Sequence, residues 1–311
     1  MRYGVIDIGS NTVKFLVAET LGSIVKILTE QSHITRLAED LIATAELKPE
    51  AMGRTLELLK RLRSEGDTWM VEKWMAVATS AVRDAKNRKE FLKAAAERLS
   101  FSVRLFSGEE EAETIYLGVV TDPKLHGQDV LAMDVGGGSS EWIQGKGATI
   151  ENRVSLPLGC VRLRERFIES YPVPPEKLER MFLSLEEQLR PILSGFQLGS
   201  RVMIGTGGTI TATASLLQGL KMFSPEKIHH YVISCVTLEA KLRELSSVSL
   251  EQLEKITGLP ALRADIIVPG MTVFAVTMRL LGASSIQVST RGLRYGVLEK
   301  LINPNSEIQH G

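Results

Sequence analysis

The chain has 311 residues, 44% of them hydrophobic, and its 37 Lys plus Arg are balanced by 37 Asp plus Glu. That length suits about two domains with a sizeable core, and the neutral balance removes bulk charge as a reason to bind nucleic acid or an anionic membrane. Two cysteines, Cys160 and Cys235, lack metal-ligand spacing and cannot make a disulfide scaffold, which points to a reducing compartment.

The first segment reads as β-rich to about Leu37, with Val5, Val13, Phe15, Val17, Ile24, Val25 and Ile27 in short runs. Pro49 opens a helix carrying Met52, Leu56, Leu59 and Leu62 that ends near Gly66. Residues 71–78 are predicted as a strand, 87–99 as a helix, 101–106 as a strand and 108–120 as a helix. A loop with Asp122, Pro123 and Gly127 marks the domain boundary, giving domains 1–123 and 124–311. The second domain restarts with strands at 130–135, 140–143 and 149–155, then helices at 161–170 and 176–193. A strand at 202–204 enters a glycine-rich turn and a helix at 210–217. The remainder is predicted helical apart from a strand at 286–289. The last helix, 293–302, is free to pack back on the first domain, and the polar residues 303–311 are expected to fray. No charged leader precedes the first strand and no uninterrupted apolar run is long enough to span a bilayer. The expectation is therefore a cytoplasmic protein without a membrane partner.

Two short turns carry the most information: Asp7-Ile8-Gly9-Ser10-Asn11-Thr12 and Asp134-Val135-Gly136-Gly137-Gly138-Ser139. Each joins two strand-like runs. Glycine lets a tight turn direct its backbone N–H groups at an anion, and the carboxylate can hold a divalent cation through oxygen. Alone, the first turn reads equally well as a polar hairpin, since its residues are ordinary turn formers. Together, the matching Asp and Gly positions favour a clamp gripping a polyphosphate from both sides, with Gly9, Ser10, Asn11, Gly136, Gly137, Gly138 and Ser139 as phosphate contacts.

Gly205-Thr206-Gly207-Gly208-Thr209 stands between a strand and a helix, and Gly207 and Thr209 are candidates for a further anion contact there. It is not a dinucleotide fingerprint, and no G-x-x-x-x-G-K-[ST] loop exists. In Ser107-Gly108-Glu109-Glu110-Glu111, Ser107 caps the helix and Glu110 completes a capping box, whereas Glu111 is not needed for either. Its helical face, shared with Ile115 and Gly118, puts its carboxylate at the edge of the core. Partial desolvation there raises a pKa and suits a general base. Arg83, Arg263, Arg291 and Arg294 read equally as phosphate grips or solvated arginines. Glu141, two residues beyond Ser139, reads as metal support or as a solvated strand carboxylate. His33, His126, His229, His230 and His310 make no recognised zinc spacing, Cys160 reads as a packed thiol, and the scattered Trp69, Trp74 and Trp142 form no base-stacking platform.

The ordered set of segments resembles the exopolyphosphatase/guanosine pentaphosphate phosphohydrolase (Ppx/GppA) family, short two-domain type. The matching pieces are the turns at Asp7 and Asp134, Ala78-Thr79-Ser80-Ala81-Val82-Arg83, Ser107–Ala112, Leu158-Gly159-Cys160-Val161, Gly205–Thr209 and Gly292-Leu293-Arg294-Tyr295-Gly296, together covering nearly all the chain. The resemblance implies an α/β fold of two ribonuclease-H-like (actin-like superfamily) domains around an interdomain cleft. It implies Mg²⁺ dependence and hydrolysis of a terminal phosphoanhydride of inorganic polyphosphate or guanosine pentaphosphate. It casts Glu111 as the base that activates water, sets Arg83 and Arg263 near phosphates, and places Asp134, Glu141 and Asp7 near the metal. Longer members carry a further C-terminal helical module, so short polyphosphates or nucleotides are the expected substrates. Competing readings are a small-molecule kinase of the same fold, a non-hydrolytic sensor of guanosine penta- or tetraphosphate, and an actin-like filament protein. A homodimer is expected on base rates alone.

Overall fold

Asp7 and Asp134 each sit one residue before the end of a strand that doubles back on itself, and these two hairpins are the seeds of two sheets. The computed structural model describes residues 1–22, 24–304 and 309–310. In the first sheet β1 (Arg2–Ile8), β2 (Thr12–Leu21) and β3 (Ile24–Ile34) form an antiparallel meander, while β4 (Lys73–Ala78) and β5 (Val103–Leu105) add parallel to β1, in the order β3-β2-β1-β4-β5. The second sheet repeats the plan. β6 (Asp129–Val135), β7 (Ser140–Lys146) and β8 (Thr149–Leu156) make the meander, and β9 (Val202–Thr206) and β11 (Ser285–Val288) extend it in parallel. Two short strands, β10 (Val232–Ser234) and β12 (Gln309–His310), border this sheet. The shared order 3-2-1-4-5 is the ribonuclease-H-like arrangement, present twice.

Three apolar cores follow from it. One packs helices Pro49–Thr68 and Arg88–Leu99 on the outer face of the first sheet through Leu59, Leu62, Phe91 and Phe15. A second packs Pro175–Leu193, Cys235–Ser246 and Ala264–Leu281 against the outer face of the second sheet. The third lies between the sheets. There Ala112, Ile115 and Val119 of helix Gly108–Val120 meet Leu293, Val297 and Leu298 of helix Leu293–Ile302, flanked by Val5 and Leu16 of one sheet and Val130 and Ile143 of the other. The two central helices touch backbone to backbone. A side chain at Gly118 would strike the Gly292 carbonyl, and one at Gly296 would strike the Thr114 carbonyl. This close approach gives a packing reason for Gly118 and Gly296, whereas a side chain at Gly292 would meet Thr206 Oγ1 at 2.7 Å.

Boundaries shift modestly from the sequence reading. The helix expected at 210–217 begins at Gly207, so the glycines form its first turn, and β10 falls in a stretch expected to be helical. At three residues on a sheet border, β10 is too short to show a period. No uninterrupted apolar run reaches bilayer length, since Arg263, Asp265 and Arg279 break the most apolar stretch, although residues 261–281 are long and apolar enough by length and composition alone. In the structure 78% of its most apolar 18 residues are buried inside the protein, as a core helix. Of the tail expected to fray, 305–308 and 311 lie outside the described residues.

Candidate active site

The site forms where the two hairpin turns meet. Each closes with the same hydrogen bond: Gly9 N–H donates to the Thr12 carbonyl (3.1 Å) and Gly136 N–H to the Ser139 carbonyl (2.9 Å). They face each other across the lobes. A Cβ on Gly137 would stand 3.0 Å from Ser10 Cβ, and one on Gly138 would stand 2.6 Å from Ser10 Oγ. Only glycine permits this approach. Register then decides what stands behind each turn. Asp7 pairs with Lys14 across β1–β2, whereas Asp134 pairs with Glu141 across β6–β7. The same position of the repeated hairpin thus carries a cation in one lobe and a second carboxylate in the other.

A cavity of about 60 Å³ opens between the turns, lined by Asp7, Glu111, Asp134 and Glu141 along with the turn residues, Lys14 and Arg263. Lys14 Nζ lies 3.6 Å from Asp7 Oδ2. Arg263 Nη2 donates to Thr12 Oγ1 (2.9 Å), so a side chain of the second domain reaches a turn of the first. Asn11 Nδ2 is buried with no acceptor, a donor left for an anion.

Glu111 occupies the first turn of helix Gly108–Val120. Ser107 and Glu110 make the full capping box, which leaves the Glu111 carboxylate free of capping duty. The residue is 6% exposed. Burial raises its pKa to about 7, with Asp7 and Asp134 adding to the effect and Arg83 opposing it. Burial likewise lifts Glu141 well above the usual range, helped by the negative charges of Glu111 and Asp134, although Ser155 Oγ donates to its Oε1 (2.7 Å). Asp134 is raised by burial and by Asp7, against Lys14 and Arg263. Asp7 is raised by burial, against Lys14 and Arg294. Four buried carboxylates therefore destabilise one another's charge around one small space. They offer hard oxygen donors only, since the Cys160 thiol beside them is pushed by burial to about 11 and stays protonated. That donor set fits a hard divalent cation such as Mg²⁺.

Other expected site residues are placed differently. Arg83 stands behind Glu111 and outside the cavity lining: its Nη1 donates to Glu111 Oε2 (3.0 Å) and to the Phe106 carbonyl (3.0 Å). Thr209 faces inward from its helix, with its hydroxyl toward the Val135 carbonyl and its side chain against Gly270. Its place as a phosphate contact therefore needs correction, because the helix starts at Gly207 and turns the third residue toward the core. Gly207 instead acts through its shape. At φ 88° it is in the left-handed region, and a Cβ there would collide with Asp134 Oδ1. Arg291 bonds the Thr121 carbonyl (2.7 Å), and Arg294 pairs with Glu30. Lys14 was not singled out from sequence. The available signal was a lone lysine in the apolar run Val13–Val17, seven residues after Asp7 just as Glu141 is seven after Asp134.

A larger cavity of about 610 Å³ adjoins the first and shares Lys14, Gly208, Arg263 and Leu293 with it. Its lining mixes Leu220, Phe223 and Pro260 with Lys221 and Arg294.

Two ribonuclease-H-like lobes whose carboxylate–glycine turns oppose each other across a cleft define the actin-like class of two-lobed α/β proteins. Within that class, the chain belongs to the Ppx/GppA phosphatase family, whose model matches residues 16–304. It is similar to the Aquifex aeolicus Ppx/GppA family member, at 31% identity and a TM-score of 0.83, covering 98% of this chain and 99% of that one. An exopolyphosphatase from Cytophaga hutchinsonii superposes at a TM-score of 0.90 with 27% identity, over 99% of this chain and 100% of the other. A bifunctional 3-dehydroquinate synthase/phosphatase of Fusobacterium nucleatum is 30% identical over 96% of this chain. The chain spans only 46% of that relative's length.

Proposed function

We propose that this chain hydrolyses terminal phosphoanhydride bonds of inorganic polyphosphate or guanosine pentaphosphate, with Glu111 activating the attacking water. The observation that carries this is the meeting of two glycine turns with four buried carboxylates, of which Glu111 has its pKa raised by burial to about 7. The terminal phosphoryl group binds between 9–11 and 136–139, where backbone N–H groups and Asn11 Nδ2 donate to its oxygens. Arg263 and Lys14 balance its charge. A Mg²⁺ held by Asp134 with Asp7 and Glu141 would neutralise phosphate oxygens during transfer. Glu111, its pKa raised by burial to about 7, accepts a proton from water; Arg83 holds its carboxylate in place. The rest of the substrate extends into the larger cavity. Its lysines and arginines suit further phosphates, and its apolar wall of Leu220, Phe223 and Pro260 favours guanosine pentaphosphate as a second substrate.

The test is phosphate release from short polyphosphate, long polyphosphate, guanosine pentaphosphate and ATP, with and without Mg²⁺. Release from at least one of the first three is expected, and Glu111→Ala is expected to lower its kcat about 10²–10⁴-fold. Wild-type turnover in that variant would remove Glu111 as the base. Nucleotide binding without turnover would favour a sensor, and phosphate passed to a small acceptor would favour a kinase.

A further inference from the structure

Asp122 follows the C-terminal end of the Glu111 helix, at the seam between the lobes, and its side chain is 4% exposed. Its Oδ1 caps the turn Pro123–Leu125 by accepting from Lys124 N–H (3.0 Å). Its Oδ2 is buried and has no hydrogen-bond partner closer than the imidazoles of the second domain. Two imidazole nitrogens flank that oxygen, His229 Nε2 and His230 Nε2, each at 3.3 Å. Both histidines come from the second domain, between helix Pro225–Ile228 and β10. His230 is held at φ 68°, in the left-handed region, by its N–H bond to the Val288 carbonyl (2.8 Å). A buried carboxylate oxygen whose partners are two long imidazole contacts, and a left-handed non-glycine residue beside it, coincide at one point.

We propose that Asp122, His229 and His230 form a second metal site, distinct from the carboxylate cleft, which takes a late first-row divalent cation, best Zn²⁺. The three ligand atoms lie within 4.8 Å of one another. Zinc bonds of about 2.0–2.1 Å at a tetrahedral angle place neighbouring ligands about 3.3–3.4 Å apart, which matches both oxygen–nitrogen separations. Two imidazoles and a carboxylate are borderline donors that suit zinc rather than Mg²⁺. His229 and His230 retain 18% and 23% exposure, so water reaches the pair and can supply a fourth ligand.

The outer partners bear on this directly. Gln287 Nε2 stands 2.6 Å from His230 Nδ1; with that amide turned over, its oxygen accepts from Nδ1 and frees Nε2 for metal. Thr290 N–H approaches His229 Nδ1 at 3.2 Å, a contact that must lengthen when Nε2 is ligated. Arg291, bonded to Thr121, is the nearby cation that works against binding. The ion would fasten the far end of the Glu111 helix to the second domain. At about 1.5 Å per helical residue it lies far from the water-activating carboxylate, so its role is to tie the lobes together.

The test uses the untagged full chain after chelation and dialysis, titrated with Co²⁺ in the spectrophotometer and with Zn²⁺ by calorimetry. We expect one Zn²⁺ per chain and the intense visible bands of tetrahedral Co²⁺, displaced by Zn²⁺. His230→Ala should abolish those bands and weaken Zn²⁺ binding at least about tenfold, an effect of the size seen on losing metal-site groups. The double variant Asp134→Asn/Glu141→Gln, at the cleft, should keep them. Zn²⁺ should also raise the melting temperature of wild type and not of His230→Ala. Only the pale spectrum of octahedral Co²⁺ in wild type, or tetrahedral bands that persist in both His230→Ala and His229→Ala, would overturn the proposal. Far-UV circular dichroism of each metal-free variant verifies its fold, and the wild-type spectrum decides the matter even where a variant fails to fold.

Discussion

Glu111→Gln should change how the metal-free protein's stability depends on pH. Burial holds the Glu111 pKa at about 7 in the folded chain, against 4.5 for an ordinary glutamate. The sign follows from proton counts. Below about pH 4.5 the carboxyl is protonated in both states. Between there and about pH 7 the folded state keeps a proton that the unfolded state has released, so stability falls as pH rises. Above about pH 7 the loss is complete. The displacement from 4.5 to about 7, at about 1.4 kcal/mol per pH unit, amounts to about 3 kcal/mol. Urea unfolding in EDTA at about pH 4.5 and about pH 8 measures it. Wild type should lose about 3 kcal/mol more between those conditions than Glu111→Gln, whose amide carries no charge and can still accept from Arg83. Mg²⁺ should remove much of the difference at high pH, because a cation among the carboxylates favours their ionised forms. Parallel pH profiles for the two proteins in EDTA would refute the claim that burial of this carboxylate stores the free energy.

Other outcomes follow from the same geometry. Gly207→Ala forces a left-handed alanine, at about 1–2 kcal/mol, and drives its methyl into Asp134; the Mg²⁺ concentration for half-maximal phosphate release should rise, and an unchanged Mg²⁺ profile would detach Asp134 from the metal. Arg263→Ala removes a charged donor joining the lobes, a contact of a kind worth about 1.5–3 kcal/mol, so kcat/KM for phosphate release should fall about 10–100-fold. Leu298→Ala empties part of the core shared by both sheets and should cost about 2–5 kcal/mol in urea unfolding, with little change in kcat.

Much of this protein is written locally. The repeated Asp-x-Gly turns between apolar runs are legible because a tight reversal demands glycine and because β alternation is a short-range pattern. Helix 108–120 is legible because a capping box opens it, and the last helix lies at Leu293–Ile302, where the sequence sets it. Glu111 stood out from its neighbours for the same reason: Ser107 and Glu110 had the capping role, and Glu111 lay toward the apolar face. Residues whose role depends on a distant partner were harder to read. Arg83 reads as a solvated arginine or a phosphate grip until Glu111 is found beside it, 28 residues away. Lys14 becomes meaningful only in register with Asp7. The sequence by itself determined the two turns, their carboxylates and the doubled α/β plan, since these rest on residues a few positions apart. Tertiary structure decided which charges share one cavity, that Thr209 turns away from it, and that Asp122 meets His229 and His230. Those facts depend on long-range packing and desolvation, which no local spacing encodes.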